Sequence, residues 1–327
     1  MRTVLRYLRR HPFSVAIAIT VIATGIVFSL PRTHGTRWLA AGPVTTAQEH
    51  LWWTPVTTLL VPESILAAVL SAAVALTVMA YIEQLIGTAR TMLAYFGIGA
   101  AGILAGIGLH MLTIWLGTPV LLLARPDLSL DPAIGIFAVL MTGSAFAPTL
   151  FRRRIRVIGF AILLTFALYG GDQDSIYRLI AALFGLLLGG VLHRGMPVSG
   201  VRRRPVPRSW RRASYGEVRT LVAAIVAVTG VGPVIVLLDR AVTGPLALVV
   251  SGFADVNRVR VFGACATYFR SACLPASDVH VVAHGVGQIL LSMVPVALSL
   301  VAAWGLRTGR RAAWVMALAV NVVALVA

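Results

Sequence analysis

Long apolar stretches alternate with short, arginine-bearing breaks along this chain, and that rhythm predicts helices that cross a membrane. The apolar runs fall at roughly 13–30, 64–86, 91–116, 132–151, 157–170, 177–193, 220–238, 281–305 and 311–327. A helix needs about 20 apolar residues to cross the hydrocarbon core of a bilayer. Charged residues sit between the runs, not within them. The expected fold is all-α: a polytopic integral membrane protein of about nine spans, with the fifth and sixth the shortest.

Composition agrees with that pattern. The chain is 58% hydrophobic and 12% charged, with a mean hydropathy of +0.89; soluble domains run at roughly 45–50% apolar. The net charge of +17 comes entirely from arginine, because the 28 basic residues include no lysine. In a chain of this hydropathy the charge reads as membrane topology, not as nucleic-acid binding. All-arginine basicity points to a GC-rich bacterial genome. With two cysteines, neither a disulfide framework nor a thiolate metal site is expected.

The arginines also set an orientation, since cytoplasmic loops collect positive charge. An N-terminus in the cytoplasm puts Arg2, Arg6, Arg9, Arg10, Arg90, Arg152, Arg153, Arg154 and Arg156 inside. The stretch from Arg194 to Arg219 and the turn of Arg307, Arg310 and Arg311 join them. Only Arg32, Arg37, Arg125, Arg240, Arg258, Arg260 and Arg270 fall outside, and Arg178 alone lies within a span. Met1–Leu30 begins like a signal peptide, but its long apolar run and lack of a small-residue cleavage site read as an uncleaved first span. The expected site is therefore a bacterial cytoplasmic membrane.

Two modules follow. Residues 1–194 hold six predicted spans; 195–219 is a basic, Pro/Arg-rich cytoplasmic linker; 220–327 is a second, partial bundle with a long external segment from Asp239 to His280. The chain stops at Ala327 inside an apolar run, which reads as an interrupted or shortened reading frame.

Four landmarks in the first module share an order. An external loop carries Glu49-His50-Leu51-Trp52-Trp53-Thr54-Pro55, and indole rings prefer the membrane interface. The second span ends in Glu83 and Gly87. The third is glycine-rich at Gly97, Gly99, Gly102, Gly106 and Gly108, and the sixth carries Gly185 and Gly189 at a spacing that lets helices approach closely. In this order and orientation, residues 35–194 resemble the rhomboid family of intramembrane serine proteases, which implies a six-helix bundle. The resemblance also implies a serine at the start of span four and a histidine on span six to accept its proton, because an unaided hydroxyl is a poor nucleophile. Aligning Asp131-Pro132-Ala133-Ile134-Gly135 on the family's nucleophile turn puts Ala133 at the serine position. Aligning Tyr177-Arg178-Leu179 with Gly185 and Gly189 puts Arg178 at the base position, and arginine stays protonated. The family's span-two His and Asn are absent from 64–86, and Ser144, the serine of span four, lies too deep.

A charge inside a span should face the bundle interior or snorkel to an interface. Arg178 has candidate partners in Asp131, Asp172 and Asp174, forming either a structural ion pair or an anionic headgroup site, since its planar fork suits phosphate. His110, near the outer end of span three, reads as packing or interfacial. The clusters Arg152, Arg153, Arg154 and Arg202, Arg203, Arg204 read as orientation signals and as attractors of anionic lipid.

In the second module, the hairpin from Val281 through Arg307-Thr308-Gly309-Arg310-Arg311 to Ala312-Ala313-Trp314 resembles the membrane region of bacterial aminoacyl-phosphatidylglycerol synthases, particularly the lysyl-transferring kind. That resemblance implies a following acyltransferase-like domain, which would begin after Ala327. His280 and His284 would share a helix face, but Val281 stands where a zinc protease needs Glu, and no third ligand follows; no metal and no cofactor are expected. Cys265 and Cys273 could close an external loop by a disulfide. The segment 244–262 could lie along the interface. The leading expectation is a non-enzymatic domain that scaffolds or binds anionic phospholipid for an aminoacyl-phospholipid synthase, with membrane lipids, another copy of itself or an acyltransferase domain as partners. An active rhomboid-type protease, and a lipid flippase or small-solute transporter lined by Arg178, are the alternatives.

Overall fold

In the computed structural model the chain is almost entirely helical. The structure describes residues 7, 10–28, 38–116, 128–195, 215–232, 234, 246, 256–260, 277–281 and 286–326. Helix α1 is Pro12–Phe28. Helix α2 runs Ile65–Ile86, with a π-helical turn at Ala75–Met79. Helix α3 comprises Thr88–Met92, a π-helical turn at Leu93–Ile98, and Gly99–Trp115. Helices α4 (Ala133–Ser144), α5 (Thr149–Tyr169) and α6 (Gln173–Gly195) follow. Beyond them come α7 (Tyr215–Gly230), α8 (Val286–Thr308) and α9 (Arg311–Val326). Among the described residues, three helical stretches are long and apolar enough to cross a membrane: Ile65–Ile86, Thr88–Thr113 and Gln173–Arg194.

Three features depart from the sequence reading. The arginines expected in a loop between the fourth and fifth apolar runs are helical, because α4 stops at Ser144 and α5 starts at Thr149. Pro148 explains the break: it lacks an N–H and disfavours helical geometry at the residue before it, yet a helix can begin immediately after it. Helix α7 starts inside the expected linker, at Tyr215, with Glu217 in the first turn where the helix dipole favours a carboxylate. In the expected external segment, β1 (Val256–Arg260) pairs antiparallel with β2 (Ser277–Val281), so that His280, expected on a helix, lies on a strand opposite Asn257. His284, Cys265, Cys273, Arg202, Arg203 and Arg204 lie outside the described residues.

Close helix approach organises the first core. A Cβ on Gly185 would lie 2.5 Å from the carbonyl oxygen of Ala138, and one on Gly189 the same distance from that of Thr142. Helices α4 and α6 therefore meet backbone to side, as small residues permit in a bilayer. Buried Met79, Ile82, Tyr95, Ile103, Ile134, Val139 and Tyr177 fill the centre. The Tyr95 hydroxyl donates to the carbonyl of Leu59, 2.6 Å away.

At the opposite end from the Asp131 region, α1 is held by a side chain from another helix. Glu83 is buried; its carboxylate accepts from the backbone N–H groups of Phe13 and Ser14 at 3.2 and 3.0 Å. It also accepts from the hydroxyls of Ser14 (2.6 Å) and Thr88 (2.9 Å). The sequence His11-Pro12 offers α1 no Ser, Thr, Asp or Asn cap of its own, so Glu83 supplies the acceptor that a helix N-terminus requires.

A second core, of Ala223, Ala302, Ala303, Leu306, Ala313 and Ala317, joins α7, α8 and α9. Helix α7 also packs against α5. There Arg153 meets Glu217 at 3.7 Å, and an apolar cavity of about 230 Å³ lies among Ile162, Phe166, Ala227 and Val231.

Candidate functional site

The two positions singled out by the rhomboid resemblance meet at one carboxylate. Ala133 opens α4, and its backbone N–H donates to Asp131 Oδ1 at 3.0 Å. Arg178, one turn into α6, donates from Nε to Asp131 Oδ2 at 2.5 Å. The pair is largely sheltered, with side-chain exposures of 19% for Arg178 and 8% for Asp131. The guanidinium also lies 5.4 Å from the centre of the Phe166 ring on α5, within cation–π range. One side chain thus ties α6 to the entry of α4 and to α5.

Electrostatics decide what this cluster can hold. Asp172 and Asp174 lie within electrostatic reach of Arg178, in addition to Asp131. Asp131 already occupies the guanidinium, and two further acidic side chains stand near it. An anionic headgroup would have to displace Asp131 and face the other two, so the arrangement favours the ion pair over a phosphate site.

Around the pair lies a hydroxyl-rich lattice that sequence reasoning did not single out. The Ala41 N–H donates to Thr58 Oγ1 (2.8 Å), which donates onward to the Ser129 carbonyl (3.0 Å). Thr46 and Thr54 share a hydrogen bond of 2.7 Å, and all three threonines are buried. This lattice fixes the loop whose Trp38, Trp52 and Trp53 stay exposed, and Trp53 Nε1 donates to the Trp38 carbonyl at 3.0 Å. The signal available in the sequence was the density of threonine beside the tryptophans. Gln173 donates to the Tyr177 hydroxyl at 2.5 Å. His110 is buried, as a packing role requires, and its Nδ1 has no partner among the described residues.

The arginines of α5 are unequally engaged. Arg152 donates to the Ala147 carbonyl (3.3 Å). Arg156 Nε donates to the Ser144 hydroxyl (3.0 Å), which itself donates to the Met141 carbonyl (2.7 Å). Ser144 therefore lies at the C-terminal end of α4, a helix length away from Ala133, and its hydroxyl is occupied. Arg153 pairs with Glu217. The Nε atoms of Arg152 and Arg154 are both shut off from solvent without a hydrogen-bond partner among the described residues. Among those residues no cluster of three His, Cys, Asp or Glu side chains forms a metal site.

No family model and no solved structure matches the chain. The chain is similar to an uncharacterized protein of Corynebacterium glutamicum, 30% identical over 202 residues that cover 61% of this chain. Those residues span 25% of that relative's length.

Proposed function

We propose that this chain is a non-enzymatic integral membrane domain: an inactive rhomboid-like bundle of six helices followed by a second helical bundle. It lies in a bacterial cytoplasmic membrane with its N-terminus inside and binds anionic phospholipid for an aminoacyl-phospholipid synthase module. The observation that carries the reading is the pairing of Arg178 with Asp131 at the first turn of α4. A proton-accepting imidazole and an attacking hydroxyl would have to meet there; a guanidinium and the Ala133 methyl occupy those positions instead. A permanently charged guanidinium held by a carboxylate cannot activate a nucleophile. Lipid binding falls to the basic rim at the start of α5, since Arg178 is already paired with Asp131.

A fluorophosphonate probe applied to the protein in bilayers tests the catalytic half. No serine is expected to be labelled, and labelling of any serine within residues 38–195 would overturn it. Selective association with phosphatidylglycerol over phosphatidylcholine tests the lipid half.

A further inference from the structure

The turn between α8 and α9 gathers charge that its own bundle does not balance. Gly309, with φ at +81°, closes the turn. Its N–H donates to the Leu306 carbonyl at 3.1 Å and the Arg310 N–H to the Gly305 carbonyl at 3.0 Å, the pattern that a left-handed residue makes at a helix end. Arg307, Arg310 and Arg311 therefore crowd into one tight turn, and all three are exposed. Arg219 of α7 joins them, since a Cβ on Gly309 would lie 2.6 Å from its guanidinium. Helices α7, α8 and α9 carry a single carboxylate, Glu217, and it is buried beside Arg153. None of the four arginines forms an ion pair among the described residues.

Two tryptophans stand just beyond these arginines. A Cβ on Gly305 would lie 2.5 Å from the Cβ of Ala313, so α8 and α9 touch at that level. Trp304 and Trp314 each sit one residue further from the turn, about 1.5 Å along their own helices, which sets the two residues at one depth. Both are exposed, at 69% and 60%. Beyond them Leu298, Val301, Val315 and Leu318 continue as exposed apolar surface. Arginine, then indole, then aliphatic side chain matches the order of polarity from the headgroups of a bilayer into its hydrocarbon. A nucleic acid would meet the arginines but leave the indoles and the apolar surface uncovered.

We infer that the α8–α9 turn docks on the anionic headgroups of the cytoplasmic leaflet, with Arg307, Arg310 and Arg311 on phosphate and the Trp304–Trp314 pair fixing the depth of the hairpin. This rests on the reading of α8 and α9 as membrane spans with their joining turn inside, and it adds to the basic rim of α5 a separate contact in the second bundle. The three arginines are open to solvent, so a headgroup reaches them without displacing a protein partner. The planar fork of each can engage two phosphate oxygens at once.

The test reads the tryptophan pair directly. The full chain is placed in phosphatidylcholine vesicles containing a small fraction of brominated phosphatidylglycerol or brominated phosphatidylcholine, whose bromines quench nearby indole fluorescence. The emission of the pair is the difference between each protein and its W304F/W314F counterpart. Both lipids are expected to quench the pair, and phosphatidylglycerol to associate beside it about fivefold more tightly or better, the worth of one basic residue near an anionic surface. R307Q/R310Q/R311Q is expected to lose that preference and R307K/R310K/R311K to keep most of it; R310Q alone is expected to lower it, and decides the matter if the triple variant does not fold. A wild-type pair that neither lipid quenches, or that both quench equally, overturns the inference, and so does a glutamine variant that keeps the full preference. Selectivity of the whole protein for phosphatidylglycerol, if it survives such a result, leaves the lipid-binding reading standing; its absence removes both. If mixed RNA binds the wild type, fails to bind R307Q/R310Q/R311Q and abolishes the lipid preference, the turn is a nucleic-acid surface and the lipid assignment falls.

Discussion

The Arg178–Asp131 pair lends itself to an asymmetric double-mutant test. Breaking a buried ion pair by removing one partner costs about 3–5 kcal/mol, because the other charge is left uncompensated. The surroundings of this pair make the two halves unequal. Asp131→Asn leaves Arg178 facing Asp172 and Asp174, and the Asn oxygen can still accept from the Ala133 N–H, so the cost falls to about 2 kcal/mol. Arg178→Met removes the cation and leaves the sheltered Asp131 carboxylate without its partner, for a cost of about 4 kcal/mol. The double variant is expected to lose at least ~1.5 kcal/mol less than the sum of the single losses, as coupled neighbours do. Asp131→Ala adds the loss of the first-turn acceptor on α4, about 1 kcal/mol beyond Asp131→Asn. Reversible unfolding in mixed micelles, titrated with sodium dodecyl sulfate and followed by circular dichroism, gives all four values. A cost for Asp131→Asn equal to or above that of Arg178→Met would refute the charge balance assigned to this cluster, and additive losses would refute the pair.

Two further outcomes follow from the packing. Glu83→Gln keeps one acceptor but loses the charge that serves two backbone donors and two hydroxyls; it should destabilise the protein by about 1–2 kcal/mol, and Glu83→Ala by more, in the same unfolding assay. Gly185→Ala forces a methyl group toward the Ala138 carbonyl and should cost about 1–3 kcal/mol. Gly190→Ala, where a Cβ meets nothing within 4 Å, should stabilise by up to about 1 kcal/mol; a similar response from both glycines would contradict the tight α4–α6 seam.

What the sequence disclosed, and what it hid, follows from the range of each interaction. Runs of apolar residues are local, and helices duly occupy them: Ile65–Ile86 against the expected 64–86, and Gln173–Gly195 around 177–193. The glycines of the sixth run were legible for the same reason, since their spacing alone puts Gly185 and Gly189 on one face. Partner choice was not local. Asp131 stands 47 residues before Arg178, and nothing in the chain ranks it above Asp172 or Asp174 until the helices are assembled. The arginines of α5 were misplaced in a loop because hydropathy counts them as polar, although arginine is a good helix former and Pro148 marks the boundary. Glu83 hid in plain view: it is the carboxylate of α2, and α1 begins without a capping residue, but joining those facts needs the tertiary structure.

A π-helical turn holds one residue more than the α-turn it interrupts, so at 3.6 residues per turn the segment Leu93–Ile98 shifts the angular phase of α3 by about 100°. Above it, Thr88 latches onto Glu83; below it, Gly102 and Gly106 bed against Ala181 and Tyr177. A straight α-helix through the same residues could aim one of these groups correctly but not both. The extra residue is the phase shifter that lets a single rod serve two unrelated docking directions, which makes the length of this stretch, more than its composition, the constrained quantity.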